Sequence, residues 1–522
     1  MRAAAARNIA FDIALLILGG LLYTLSFPPY GFTSTGWIAL APLYFVLQRK
    51  NFIGGFLCGL LFGIAICCGV AGWLYPAISS FFGTQSSLGL LLTAACFALY
   101  VGLYTGIASG LTALLIRSCN ALIGCLAAAA LWIVAEYARS TFFSGFSWGL
   151  LGYSQAAHLP PIQIADLTGI YGVSFLLALT GFATAAIVRW LRSSYSSNEA
   201  PSPWYELGCA LTSVVLILAY GAVRLGDYAT DGSAHRVRVA LVRHDVPASE
   251  RWERAFYAQA FLRYIGASES NIAPNAVDLI VWPEFASGFY LDRDPTMRLP
   301  LTRLLHRTEA SLLVGGPRLD ESNHLIQIYN SAYLFGPEGE LLDTYDKIRL
   351  LPFAETRSTA FPPSFVQKGD YDNQFTPGSR RTIFTLPRGE RFGVMICFEA
   401  TYPEFARTLT ANGAEFLVNL SNDVWLSGAG GSAAAEQHLA MAAVRAVENR
   451  RSLARATMAG INGFVDPTGR IYALSRAPEG VNIAPVTTNT ELTVYTRYGD
   501  WFVALCAAFS IGCLIQGFSR RS

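Results

Sequence analysis

A thiol beside a carboxylate at the end of a buried strand is a place where covalent catalysis can occur, and this chain has one such thiol. Cys397 closes the apolar run Phe392-Gly393-Val394-Met395-Ile396 and is followed by Phe398-Glu399. The stretch 225–500 contains no other cysteine, so an internal disulfide there is excluded. Cys397 is therefore either a packed core thiol or a reactive one. Lysine is scarce in the same way: Lys50, Lys347 and Lys368 are the only three, and arginine supplies the other permanent cations. A compact ammonium at Lys347 can do what a guanidinium fork cannot, although Lys368 persists with no evident role. Glu284 follows the run Val277-Asp278-Leu279-Ile280-Val281-Trp282 and Pro283, where a buried strand gives way to a loop. It reads either as a solvated loop carboxylate or as an acid–base group. Glu284, Lys347 and Cys397, each at an element boundary, form the constellation to be positioned.

The elements that would position them alternate. Strand-like runs lie at 237–242, 277–282, 311–315, 328–335, 392–397 and 415–420, short, rich in β-branched or aromatic residues and bounded by Gly, Pro, Asn or Asp. Helical patterns lie at 250–264, 298–308, 402–412 and 433–449. Alternation of this kind predicts a layered α/β domain over residues 225–500. The Pro-, Gly- and aromatic-rich stretch 352–377 reads as a long functional loop.

The rest of the chain is of another class. Of 522 residues, 53% are apolar and only 14% charged, against about 25% charged in an ordinary soluble domain. Between Asp12 and Arg49 no charged residue occurs, and Pro28-Pro29-Tyr30-Gly31 splits that run in two. Residues 51–116 are uncharged and divide near Tyr75-Pro76 and Gly83–Ser87. Further clean runs occupy 118–135, 167–188, 207–223 and 501–519. A crossing helix needs about 20 apolar residues, so eight spans are expected: seven in a membrane domain over 1–224, and one in 501–522, which also carries a cytoplasmic tail. The first is read as an uncleaved helix rather than a signal peptide.

Arg2, Arg7, Arg49, Lys50, Arg117, Arg189, Arg192, Arg520 and Arg521 all fall on one side of this arrangement, and the short loops on the other side hold only Arg139. By the positive-inside rule both termini are cytoplasmic and 225–500 is extracytoplasmic. Asp12, inside the first span, needs a partner or a headgroup nearby. Glu136 and Arg139 are spaced to pair on one helix face. Trp501-Phe502 and Tyr220 are placed to seat their helices at the interface.

Several function classes drop out. A net charge of +2 argues against a nucleic-acid binder driven by phosphate neutralisation. The six histidines show no metal-ligand spacing, and no cofactor motif is visible. A transporter would place several ionisable residues along an intramembrane path, and the spans offer almost none beyond Asp12.

The blocks Trp282-Pro283-Glu284, Tyr345-Asp346-Lys347 running on to Leu351-Pro352-Phe353, and Ile396-Cys397-Phe398-Glu399 resemble the carbon–nitrogen hydrolase (nitrilase) superfamily, whose Glu-Lys-Cys triad has this order. Asn422-Asp423 with Trp425, Gln437-His438, and Arg445 through Glu448-Asn449-Arg450 resemble it too. Seven upstream spans carrying Phe27-Pro28-Pro29, Trp132 with Glu136 and Arg139, Ser144–Trp148 and Gly152–Gln155, with one span downstream, extend the likeness to the bacterial apolipoprotein N-acyltransferase family over nearly the full length. Two stretches depart from its pattern, Val242-Arg243-His244-Asp245 and Met458–Gly463.

The resemblance implies a nitrilase-like αββα sandwich in the periplasm, held by a multi-pass inner-membrane region. The implied reaction is ping-pong transfer of an acyl chain from a phospholipid to the N-terminal amine of a diacylglyceryl-cysteine lipoprotein. Glu284 would serve as general base, Lys347 as oxyanion stabiliser and Cys397 as the nucleophile carrying a thioester. Glu355 would position Lys347 or the amine, and Phe398 and Glu399 would shape the pocket. Trp252 and Trp425 would serve as lid or lipid contacts, or simply as packing aromatics. No cofactor or metal is needed, and the chain is expected to act as a monomer. The competing reading is a membrane-anchored nitrilase-type amidase with water as acceptor.

Overall fold

The computed structural model describes residues 2–77, 87–143, 145–194, 202–230, 235–245, 254–321, 326–351, 355, 375–426 and 431–519. The chain separates into two units, one built from Met1–Tyr75, Ser87–Asp227 and Tyr498–Ser522, the other on Tyr228–Arg497. The charge-poor stretches of the sequence thus fall in the first unit and the alternating pattern in the second.

Six helices of the first unit are long and apolar enough to cross a bilayer: Arg7–Leu25, Phe52–Val70, Leu91–Leu115, Ala121–Thr141, Ile170–Ser193 and Trp204–Tyr228. At a rise of about 1.5 Å per residue such lengths match a hydrocarbon core of about 30 Å. The other two expected spans are the shorter apolar helices Thr33–Leu47 and Trp501–Gly517. The first of these is broken, a 3₁₀ turn at Thr33–Trp37 followed by a helix at Ala41–Leu47 with Pro42 in its first turn. Phe52–Val70 lies against Ser87–Leu115 with Gly59 facing Thr105 and Ser109. Small residues let the two backbones approach, and the Thr105 hydroxyl donates to the Gly59 carbonyl at 2.9 Å.

The polar residues singled out in the sequence of this unit have named partners. Asp12 pairs with Arg49 and Lys50, each at 2.7 Å. Glu136 and Arg139 have separate partners rather than each other. Glu136 accepts from the Trp132 indole at 3.0 Å and the Leu151 N–H at 2.8 Å, while Arg139 donates to the Trp148 and Gly149 carbonyls. Tyr220 donates to Asp166 at 2.8 Å, and the Trp501 indole donates to the Leu167 carbonyl at 2.8 Å.

The second unit is a four-layer α/β sandwich. One sheet has the order β12-β1-β2-β3-β4-β5 and the other β11-β10-β9-β8-β7-β6. The first holds β1 (Arg236–His244), β2 (Leu279–Val281), β3 (Ser311–Asp320), β4 (Gln327–Phe335), β5 (Leu341–Asp346) and β12 (Glu479–Thr487). The second holds β6 (Ile383–Thr385), β7 (Arg391–Ile396), β8 (Phe416–Asn422), β9 (Leu453–Met458), β10 (Asn462–Val465) and β11 (Ile471–Ser475). In each sheet three parallel strands, β1-β2-β3 and β7-β8-β9, are flanked by antiparallel ones. Helices Arg254–Asn271 and Pro295–Thr308 pack on the first sheet, Pro403–Ala411 and Gly431–Asn449 on the second. Parallel strands covered on both faces must be apolar throughout, and residues 279–281, 392–396 and 416–420 are all buried.

All six sequence-read strands and all four helices are present with shifted ends. Six strands, β5, β6 and β9–β12, lack the expected signal. β9 carries Arg455 at its centre, and β11 and β12 alternate with exposed positions. Most of the 352–377 stretch, and positions 250–253 of the first helical pattern, lie outside the described residues. The two stretches that depart from the family pattern meet one another. Arg243 at the end of β1 donates to the Gly460 carbonyl at 2.6 Å, and Asp245 accepts from the Ala459 N–H at 2.7 Å.

Candidate active site

Glu284 and Cys397 sit just beyond the carboxyl ends of parallel strands, and Lys347 just beyond that of the antiparallel edge strand β5. Glu284 lies three residues after β2. Its loop folds closely over Gly315 of β3, where an added Cβ would come within 2.6 Å of the Pro283 carbonyl oxygen and 2.7 Å of the Glu284 Cα. Lys347 directly follows β5, and its N–H donates to the Asn330 carbonyl of β4 at 2.8 Å. Cys397 directly follows β7 and opens a 3₁₀ turn, Cys397–Thr401, with φ of +53°. A non-glycine residue in that region costs about 1–3 kcal/mol and persists only where its surroundings over-determine it.

The three side chains are brought together in a buried cluster; relative exposures are 4% for Glu284, 1% for Lys347 and 4% for Cys397. The Lys347 ammonium lies 3.2 Å from Glu284 Oε1 and 2.9 Å from Glu355 Oε2. The charges of both Glu284 and Lys347 act on the Cys397 thiol. Asn330 donates from one amide to Glu284 at 2.7 Å and to Glu355 at 2.9 Å. The Asn422 N–H donates to the other Glu284 oxygen at 2.8 Å, and the Leu351 N–H to Glu355 at 2.7 Å.

Electrostatics sort these groups. Burial works against the Lys347 charge, yet the two carboxylates hold its pKa well above the ordinary lysine value, so it stays an ammonium. Burial raises Glu284, the nearby Glu355 charge raises it further, and Lys347 offsets only part of this. Burial pushes the Cys397 thiol up, Glu284 adds to the rise, and Lys347 alone does not reverse it. The thiol is therefore neutral at rest. The arrangement holds a carboxylate of raised basicity, a fixed cation and a thiol that ionises only when a base takes its proton.

Glu399 faces away from solvent. Its carboxylate accepts from the Tyr345 hydroxyl at 2.7 Å, from the Ile348 and Arg349 N–H groups at 2.8 and 3.0 Å, and from the Ile396 N–H at 2.8 Å. Burial lifts its pKa to about 7 against these donors. Its contacts tie the lysine loop to the nucleophile turn. Phe398 is buried next to the thiol and packs edge-on against Tyr402. Trp252 lies outside the described residues, and Trp425 is described only through its backbone, in the turn Asp423–Leu426.

Sequence reasoning gave no role to Asn330, Ser421 or Asn419. They occupy ordinary strand positions, and only burial of a polar side chain within a strand marks them. Asp423 and His438 stood in blocks resembling the superfamily but were given no task. The structure places them beneath Cys397, with His438 Nε2 at 3.2 Å from the Cys397 carbonyl oxygen.

Comparison with known proteins agrees with this architecture. Residues 19–183 match the family model of the apolipoprotein N-acyltransferase N-terminal domain, and residues 238–495 match that of carbon-nitrogen hydrolase. Among solved structures, Saccharomyces cerevisiae Nit3, a nitrilase-superfamily member, is similar at 22% identity and a TM-score of 0.35 over 48% of this chain and 90% of its own. A protein of Chlorobaculum tepidum named apolipoprotein N-acyltransferase is 28% identical over 100% of this chain and 99% of its own. One of the same name from Geobacter metallireducens is 32% identical over 98% of this chain and 96% of its own. Two domain models in the family's order and full-length relatedness above 30% identity lead to one conclusion: the chain belongs to the apolipoprotein N-acyltransferase family.

Proposed function

We propose that this protein moves a fatty acyl chain from a phospholipid to the N-terminal amine of a diacylglyceryl-modified lipoprotein, with Cys397 carrying the acyl group between them. One observation supports this above the others: a buried Glu284–Lys347 pair whose charges act on the only thiol among the described residues of the second unit.

The chemistry follows from the protonation states. Lys347, held charged, cannot be the base, so Glu284 takes the thiol proton as sulfur attacks the ester carbonyl. The ammonium has three hydrogens and two carboxylate partners among the described residues. It contacts both oxygens of Glu355, and turning one hydrogen from that bidentate contact to the oxyanion of the tetrahedral adduct supplies an interaction typically worth about 2.7–4 kcal/mol when removed. As the C–O bond breaks, Glu284 returns its proton to the lysophospholipid oxygen and a thioester remains. In the second half-reaction Glu284 takes a proton from the incoming ammonium-derived amine, nitrogen attacks the thioester, and the C–S bond breaks. The proton goes back to sulfur and the amide leaves. Glu355, with Asn330, fixes the ammonium between the two carboxylates.

Both substrates carry chains that belong in hydrocarbon, which accounts for a large apolar unit where simple anchoring needs one span. In this reading the six long helices are joined by Thr33–Leu47 and Trp501–Ser519 to give eight crossings of a bacterial inner membrane. The termini are cytoplasmic, the α/β domain is periplasmic, and the chain works as a monomer.

The test is partition of the acyl group. The purified protein is incubated with phospholipid labelled in its acyl chains, with and without a diacylglyceryl lipopeptide bearing a free N-terminus. Label recovered as lipopeptide amide supports the transferase; rapid release of labelled fatty acid in both samples supports the amidase-type hydrolase.

A further inference from the structure

Cys397 holds a left-handed backbone conformation, and its carbonyl oxygen points into a buried polar network that the acyl-transfer steps do not use. Two side chains approach that oxygen, His438 Nε2 at 3.2 Å and Asn419 Nδ2 at 3.5 Å. Arg455, at the centre of β9 and fully buried, organises both. Its guanidinium donates to Asn419 Oδ1, to Asp423 Oδ2 at 2.7 Å, and lies 3.0 Å from His438 Nδ1. Asp423 Oδ1 lies 3.2 Å from the same ring nitrogen and accepts from the Ser421 hydroxyl at 2.7 Å.

These contacts decide the tautomer. Nδ1 lies between a donor, Arg455, and an acceptor, Asp423 Oδ1, and in a neutral ring whose proton is on Nε2 it accepts from Arg455. A carbonyl oxygen has no proton, so Nε2 facing it must carry one. Burial and the Arg455 charge lower the His438 pKa and keep the ring neutral, as this requires. Burial alone would raise Asp423, but the Arg455 charge beside it holds it well below the usual carboxylate range.

We propose that His438, with its tautomer set by Arg455, is a positioning residue that clamps the Cys397 carbonyl and so holds the nucleophile turn in its strained conformation. The inference rests on the reading of Cys397 as the acyl carrier. Fixing that carbonyl fixes the whole 397–398 peptide plane, because a trans peptide directs its N–H opposite its C=O. It thereby sets the direction of Sγ toward Glu284 and Lys347. Without the clamp, the cost of a left-handed cysteine is relieved by rotation about Cys397, which swings sulfur off its base. It also explains why a charged residue occupies the middle of a parallel strand.

Two substitutions separate a clamp from a general packing role. His438→Gln keeps an N–H near the Nε2 position, while His438→Asn keeps polar atoms near Nδ1 but cannot reach the Cys397 carbonyl. Both are measured in the full-length protein for three quantities: kcat and KM of thioester formation with phospholipid, the rate of Cys397 alkylation by iodoacetamide, and the thermal unfolding midpoint. The Asn variant is expected to lose about 100-fold in kcat and in alkylation rate with KM within about twofold, and the Gln variant to recover both to within about fivefold. Equal loss in both variants, wild-type rates in the Asn variant, or a change confined to KM overturns the clamp. Alkylation needs no acyl donor. A wild-type protein that forms no thioester while the alkylation contrast persists would thus contradict the proposed reaction and leave the clamp standing.

Discussion

Glu284 carries three hydrogen bonds from Asn330, Lys347 and the Asn422 N–H, and its basicity depends on which neighbours remain. Burial and Glu355 raise its pKa above the ordinary 4.5. Ionised Glu284 is the working form, so activity falls as pH drops through that raised value. Lys347 stays charged well beyond its usual range, so no alkaline loss follows from it. We expect kcat/KM of thioester formation to show an acid limb with a midpoint above 4.5 and no alkaline limb from Lys347; a midpoint below 4.5 would contradict the assignment. Glu355→Gln removes a charge that raises Glu284 and is expected to move the acid limb to lower pH, read from the same profile. Asn330→Leu strips a donor from both carboxylates and should lower kcat by about 10–100-fold, measured under single turnover. Cys397 and Lys347 stood out because cysteine and lysine are scarce in 225–500, and Glu284 by its place after a strand and the block that resembles the superfamily. Asn330 was not, because an asparagine within a strand has no signature until its neighbours across the sheet are known.

The elements place these groups through backbone fit. The Glu284 loop rests on Gly315 with no room for a methyl group. Gly315→Ala must therefore displace Pro283 and Glu284 or distort β3. It is expected to cost about 1–3 kcal/mol of stability and at least about tenfold in kcat, checked by denaturant unfolding and single-turnover kinetics. A wild-type kcat in a stable variant would show that the loop does not need this approach. The covered parallel strands were legible as continuous apolar runs. β9 was not, because Arg455 interrupts its pattern and is tolerated only through partners from β8 and the Gly431–Asn449 helix. The edge strands β6 and β11 lack a continuous buried face. Arg243 and Asp245 show the same limit: the unusual end of β1 makes sense only beside the equally unusual 458–463 turn it binds.

At the scale of the whole molecule, charge-free runs were enough to find the helical unit, since a span must exclude ionised groups. They could not show that the second run is broken at Thr33–Trp37 or that Asp12 is neutralised by Arg49 and Lys50. The eight-crossing arrangement makes its own prediction. An alkaline phosphatase reporter, active only outside the cytoplasm, should be active when fused after Thr230 and inactive when fused after Arg117; the reverse pattern would invert the topology.

The claim on which the rest depends is that Cys397 carries the acyl chain. It is tested most directly by mass analysis of the full-length protein quenched soon after mixing with phospholipid and no acceptor. The account expects one acyl adduct on the Cys397 peptide, removed by neutral hydroxylamine and discharged when lipopeptide is added, and absent in Glu284→Gln. Transfer of label to the lipopeptide with no adduct on Cys397, or an adduct that the lipopeptide does not discharge, would contradict it.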